Sequence, residues 1–116
     1  MPIVAVVLIV LVALLHLFFL VLEMFLWTRP VGMKVFRNTP EKAEITRVLA
    51  ANQGLYNGFL AVGLLWAAAT SQRDVALFFL GCVVVAGLYG AATVSRRILH
   101  VQAVPAVAAM AALWLA

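Results

Sequence analysis

IVAVVLIVLVALLHLFFLVLEMFLW, running from Ile3 to Trp27, decides the class of this chain. Its only polar or ionisable members before the terminal Trp27 are His16 and Glu23. About 20 apolar residues at ~1.5 Å each match the ~30 Å hydrocarbon core of a bilayer, so the run reads as a membrane-spanning helix. No Lys or Arg precedes it, no small-x-small cleavage site follows, and it continues past Leu15. It is therefore expected as a retained span and not as a signal peptide. Thr28-Arg29-Pro30 ends it, because a residue before proline is pushed out of the helical region.

The rest of the chain repeats the theme. Of 116 residues, 67% are hydrophobic and 10% charged, far from the balance of a soluble domain. A polar connector, Val31 to Asn38, follows the first span. Val31, Met33, Val35 and Phe36 suit the membrane surface, with Lys34 and Arg37 toward phosphates. Thr39-Pro40-Glu41 then starts a helix outside the membrane: Thr caps, Pro takes the first helical position and Glu suits the positive end. Ser71-Gln72-Arg73-Asp74 is a tight turn in which Asp74 is expected to cap the next helix. Pro105 should kink the last span or loosen a backbone bond within it. The expected architecture is all-α, a polytopic four-transmembrane-helix bundle. It forms a single transmembrane domain over 1–116, with spans at about 3–27, 46–70, 75–94 and 98–116 and a connector at 28–45.

Orientation follows from the basic residues. Arg29, Lys34, Arg37, Lys42 and Arg47 flank the first connector, Arg96 and Arg97 occupy the third loop, and Arg73 stands alone in the second. Cytoplasmic loops are enriched in Lys and Arg. Loops 28–45 and 95–97 are thus expected in the cytoplasm and both termini outside, in a bacterial cytoplasmic (inner) membrane. Trp27 marks one interface, and Trp66 and Trp114 the other. The net charge of +4 is explained by these loops, so no nucleic acid partner is expected. The single cysteine, Cys82, excludes an internal disulfide and is read as packing.

The candidate site lies in the polar residues that a bilayer should exclude. His16 and Glu23 are seven apart and share a helix face. Ionisable groups in a span face the protein interior and find partners. The second helix carries Asn52, Gln53, Tyr56 and Asn57, with Gly54 and Gly58 forming a GxxxG that admits another backbone and offers a homo-oligomer contact. The third carries Tyr89 and Thr93 beside Gly87 and Gly90, and the fourth carries His100 and Gln102. At ~1.5 Å per residue, Glu23, Asn52, Tyr89, Thr93, His100 and Gln102 fall within roughly 10 Å of the cytoplasmic face. His16, Tyr56 and Asn57 lie deeper. The pattern resembles a pocket open to the cytoplasm.

Each residue also has a plainer reading. Gln53, Tyr89 and Thr93 serve equally as interhelical glue, at ~0.6 kcal/mol per hydrogen bond. His100 suits a headgroup contact, and Glu23 is satisfied if His16 or Asn52 pairs with it. The cluster is more specific than its members. A metal held by His16, Glu23 and His100 is disfavoured by a depth gap of roughly 10 Å, so no metal is assigned and the cofactor is left open.

Two segments carry a family resemblance. VLAANQGLYNGFL, Val48 to Leu60, and LEMFLW, Leu22 to Trp27, ahead of a Thr-x-Pro turn and a Lys-x-Phe segment, resemble a bacterial family of small integral membrane proteins known as domain of unknown function 1304. The likeness covers nearly the whole chain, with His16, Glu23 and His100 in matching places. It implies a four-helix membrane protein and brings no activity with it.

Three functions follow from these residues. In the first, a small or lipid-like ligand is bound or converted in the cytoplasmic half. His16 and Glu23 form a candidate acid–base pair there, and Asn52, Gln53, Tyr56, Asn57, Tyr89 and His100 orient its polar head. Low dielectric favours the neutral form of both ionisable groups, which suits proton exchange. The second is proton-coupled export, since small multidrug transporters share the size, four helices and a Glu in the first span. Their other hallmark residues are absent here, and the charge bias is stronger. The third is an accessory subunit of a membrane complex, for which the GxxxG and the many Ala residues suit helix association. Whether the protein is an enzyme stays open at this level.

Overall fold

A computed structural model describes residues 1–115. The architecture is all-α. The apolar run becomes α1, Ile3–Met24; the connector folds as a short helix, α2, Pro30–Phe36; and α3 extends over Pro40–Ala69. A fourth helix, α4, covers Arg73–Thr93. A π-helical turn, Leu99–Ala103, leads into α5, Val104–Trp114. No strand occurs among the described residues. The predicted end of the last span, Ala116, lies outside them. Helices α1, α3 and α4 are each long and apolar enough to cross a membrane, whereas the last apolar stretch, Leu99–Trp114, is shorter.

The junctions follow local chemistry. Helix α3 starts at Pro40, with Thr39 Oγ1 accepting from the Lys42 N–H at 3.3 Å, the cap expected of Thr-Pro-Glu. Helix α1 stops at Met24, three residues short of Trp27. There the Leu26 N–H reaches back five residues to the Val21 carbonyl, and the Leu26 carbonyl accepts from Arg29. The chain turns, so the region read as a polar connector is itself helical. Its Gly32 lies directly against the Leu26 carbonyl, an approach that any side chain would block. Both α2 and α3 end on a left-handed residue other than glycine, Arg37 (φ 55°) and Ser71 (φ 52°). At each, the following N–H closes back five residues, Asn38 to Met33 and Gln72 to Ala67, the pattern of a Schellman stop. That closure makes Gln72 the cap position of α4. Asp74, expected as the cap, instead occupies the first turn, where its charge complements the helix dipole.

Two compact units divide the chain: Leu15–Phe59, and Met1–Leu14 together with the chain from Leu60 onward. In the first, the buried positions of α3 are small: Ala43, Ala50, Gly54 and Gly58. Their spacing of seven, four and four keeps them on one face, and α1 lies on it. A Cβ at Gly54 would sit 2.6 Å from Met24 Cγ and 3.1 Å from Glu23 Cβ, and one at Gly58 would sit 2.8 Å from Leu20 Cδ1. The close approach expected of the GxxxG is thus made within the chain.

In the second unit, α4 buries Ala76, Leu80, Val83 and Gly87, while α5 and the π turn bury Ala103, Ala106, Ala109 and Leu113. A Cβ at Gly87 would come within 2.9 Å of the Ala103 nitrogen. Arg73 Nη2 donates to the Leu113 carbonyl at 3.4 Å, tying the start of α4 to the end of α5. The π turn has a cause in Pro105, as the proline was expected to loosen the backbone. Proline has no N–H, and in an α-helix its ring crowds the carbonyl four residues back. Widening the preceding turn avoids this: the Val104 N–H bonds to the Leu99 carbonyl, five residues back.

Candidate functional site

The site in the Leu15–Phe59 unit is built where α1 ends. Glu23 sits in the last turn of α1, whose one other polar side chain is His16, and is 8% exposed. Gly54 lies beneath its Cβ, which lets the carboxylate reach across to α3. There Asn57 Nδ2 donates to Glu23 Oε1 at 2.5 Å. No ion pair among the described residues involves Glu23; Arg47 and Glu44, both exposed, pair with each other. Oε2 accepts no hydrogen bond from the protein, yet no fully shielded side-chain oxygen or nitrogen is left without a partner. Oε2 therefore stays open to a small donor. The same Asn57 amide carries a further acceptor, Oδ1.

The other predicted residues divide. His16 is fully buried on α1, two turns from Glu23, with the Phe19 ring edge-on at 5.4 Å. Asn52 and Tyr56 do come together, Asn52 Nδ2 donating to Tyr56 Oη at 3.2 Å, but on the exposed side of α3. Asn52 lies five residues from Asn57, about 140° around the helix, so it cannot share the face that meets Glu23. Glu23 takes Asn57 as partner, where the sequence offered His16 or Asn52. Gln53 is exposed on α3. Tyr89 and His100 belong to the other unit, and both are exposed. Thr93 Oγ1 donates to the Tyr89 carbonyl at 2.7 Å, so its hydroxyl serves its own helix. Among the described residues no group of three His, Cys, Asp or Glu side chains stands close enough to hold a metal ion.

Sequence reasoning missed one polar link in this unit. Trp27 Nε1 donates to Thr46 Oγ1 at 3.0 Å, and Thr46 Oγ1 donates on to the Lys42 carbonyl at 2.7 Å. The Trp27 ring also meets Phe36 at 4.9 Å between centroids. As a belt residue Trp27 reads as a depth marker; only its donor, which seeks a partner when partly buried, hinted at a contact. Beside this link runs an open groove lined by Met24, Ile45, Val48, Leu49, Asn52 and Leu55.

Comparison with known proteins supplies a family and no activity. A curated relative, the uncharacterized protein YpaA of Lactococcus lactis, is 31% identical over 106 residues, covering 88% of this chain and 89% of that protein. No solved structure matches. The family model described as "Protein of unknown function (DUF1304)" matches residues 10–114, so the chain belongs to that family.

Proposed function

We propose that this is an integral membrane protein that crosses the bilayer four times and uses Glu23 with Asn57 to hold the polar part of a small or lipid-like ligand. The observation that carries the reading is a carboxylate 8% exposed, on an apolar helix, with one amide donor and no counter-charge. Such a group is expensive in a low-dielectric medium unless it is neutral or meets a cation or donor. Two acceptors, Glu23 Oε2 and Asn57 Oδ1, face a ligand with no cation beside them. The ligand that fits therefore brings a proton, an N–H or an O–H.

Support for the membrane comes from the outside of the helices. Val7, Leu11, Leu14 and Phe18 on α1 are each more than half exposed, as are Phe59, Val62 and Trp66 on α3. Water penalises apolar surface on this scale, whereas lipid accepts it. The proposed orientation places 28–45 and 95–97 in the cytoplasm and the termini outside, in the bacterial inner membrane. His16, buried on the same helix as Glu23, is the proposed proton partner, and Asn52, Gln53 and Tyr56 on α3 are secondary candidates for ligand contact. The missing counter-charge at Glu23 equally favours proton-coupled export as a second reading, because a carboxylate that gains and loses a proton drives such exchange.

Native mass spectrometry of the protein in detergent tests the site. Wild type should carry a bound small molecule or lipid. Glu23→Gln, which keeps shape and can still accept from Asn57, should lose it while unfolding at nearly the same temperature. Retention of the ligand by Glu23→Gln, or a loss of stability alone, would sink the site. Glu23-dependent protection in a pump-deficient strain would select export.

A further inference from the structure

The segment between α1 and α3 carries charge that the site leaves unused. Arg29, Lys34 and Arg37 lie within nine residues, all exposed. Among the described residues none of their side chains forms an ion pair or hydrogen bond. Lys42 is exposed as well, while Arg47 is engaged by Glu44. From Thr28 to Arg47 five basic residues face two acidic ones, Glu41 and Glu44, leaving a surplus of three positive charges.

This segment is held in place. Pro30 opens α2, Gly32 is wedged under the Leu26 carbonyl, Phe36 meets the Trp27 ring, and Trp27 is hydrogen-bonded to Thr46 on α3. Arg29 and Arg37 stand at the two ends of α2, Arg37 fixed in a left-handed turn. A backbone already held in place need not be ordered when the cations bind. Exposed apolar side chains share this stretch of chain: Phe25 (68%) four residues before Arg29, Val31 (49%) within α2, and Ile45 (82%) next to the Thr46 that holds Trp27. A free anion in water has no use for them. A phospholipid does, because its phosphate and its acyl chains begin within a few ångströms of each other.

We propose that Arg29, Lys34 and Arg37 form a seat for the phosphate of an anionic membrane phospholipid, with Phe25, Val31 and Ile45 against the start of its acyl chains. The seat rests on the membrane reading above but not on the Glu23 site. Juxtamembrane basic residues each add to the attraction of anionic headgroups. Three of them together correspond to a preference on the order of 100-fold, about fivefold per cation.

The test uses the full chain in a neutral detergent, titrated with phosphatidylglycerol or phosphatidylcholine and followed by native mass spectrometry. Wild type should bind phosphatidylglycerol far more tightly, and 0.5 M NaCl should weaken that binding. The Arg29→Ala/Lys34→Ala/Arg37→Ala variant should lose the preference by roughly 100-fold with phosphatidylcholine binding unchanged, whereas Arg96→Ala/Arg97→Ala should keep most of it. Equal binding of both lipids by wild type, salt-insensitive binding, an unaffected triple variant, or an equal loss in the Arg96/Arg97 control overturns the seat. So does displacement of the lipid by millimolar inorganic phosphate, which would assign the cations to a free anion. If the triple variant does not fold, single Gln substitutions and the salt dependence of wild type decide. Alkaline carbonate extraction tests the membrane reading separately: release into the supernatant refutes that reading whatever the lipid titration shows.

Discussion

At the scale of single residues, the Glu23–Asn57 pair and the glycine beneath it set sharp expectations. Asn57→Leu removes the donor and leaves a mostly buried carboxylate oxygen unpaired, which should cost about 1–3 kcal/mol. Glu23→Leu in the same background should recover part of that loss, because both polar partners are then gone. A double-mutant cycle read by thermal unfolding in detergent checks the coupling; additive effects would mean that the hydrogen bond contributes nothing. Gly54 and Gly81 make a second contrast. A methyl at Gly54 would stand 2.6 Å from Met24 Cγ and 3.3 Å from the Leu20 carbonyl, whereas one at Gly81 meets nothing within 4 Å. Gly54→Ala should therefore destabilise by about 1–3 kcal/mol through overpacking. Gly81→Ala should be neutral or gain up to about 1 kcal/mol of helix propensity. The same unfolding measurement would expose a reversed order. Both members of the polar pair were legible as oddities in apolar runs. That they meet was not, since the partner of Glu23 depends on how far α1 slides along α3, and nothing local records that.

At the scale of elements, punctuation in the chain predicts well and its consequences can be tested. Thr39→Ala should cost about 1 kcal/mol, the usual value of an N-cap, and hasten amide exchange in the first turn of α3. The start of α3 was readable because Thr, Pro and Glu each favour one position there. The π turn at Leu99–Ala103 was only half readable. Pro105 announces a disturbance, but it does not say whether the helix kinks or widens. Pro105→Ala returns an N–H and removes the ring, so residues 99–103 should adopt ordinary α geometry, visible as a shift of their carbonyl carbon resonances. Unchanged resonances would assign the π turn to the close Gly87–Ala103 contact instead. Helix α2 was not readable at all: seven residues containing Pro and Gly have little intrinsic helicity. What holds it is Phe36 against Trp27 and Gly32 against Leu26.

At the scale of the whole molecule, the proposed four crossings divide the basic residues into two sets. With Cys82 replaced by Ser, Arg37→Cys and Arg96→Cys should react with an impermeant thiol reagent from the cytoplasmic side, and Arg73→Cys from the other. Labelling of Arg96→Cys from the side of Arg73→Cys would remove the third crossing. The fourth crossing is the demanding one. Its 16 residues, Leu99–Trp114, reach only about 24 Å against a core of ~30 Å. The Arg73–Leu113 bond fastens its far end to α4, and a thinner local bilayer would accommodate the difference.

The sequence by itself determined the all-α class, the three long apolar helices, the start at Pro40 and the family. All of these rest on composition, turn chemistry and residue order, which act over a few neighbours along the chain. Only the tertiary structure decided that Gly54 and Gly58 receive α1, that Glu23 meets Asn57 with Asn52 on the far side, and that Trp27 pins the basic connector to Thr46. Those pairings join residues 19 and 34 apart. In a chain whose faces are nearly all apolar, hydropathy gives each helix almost no preferred side. Small residues that admit a neighbour, and the few polar atoms that need one, choose the faces that meet.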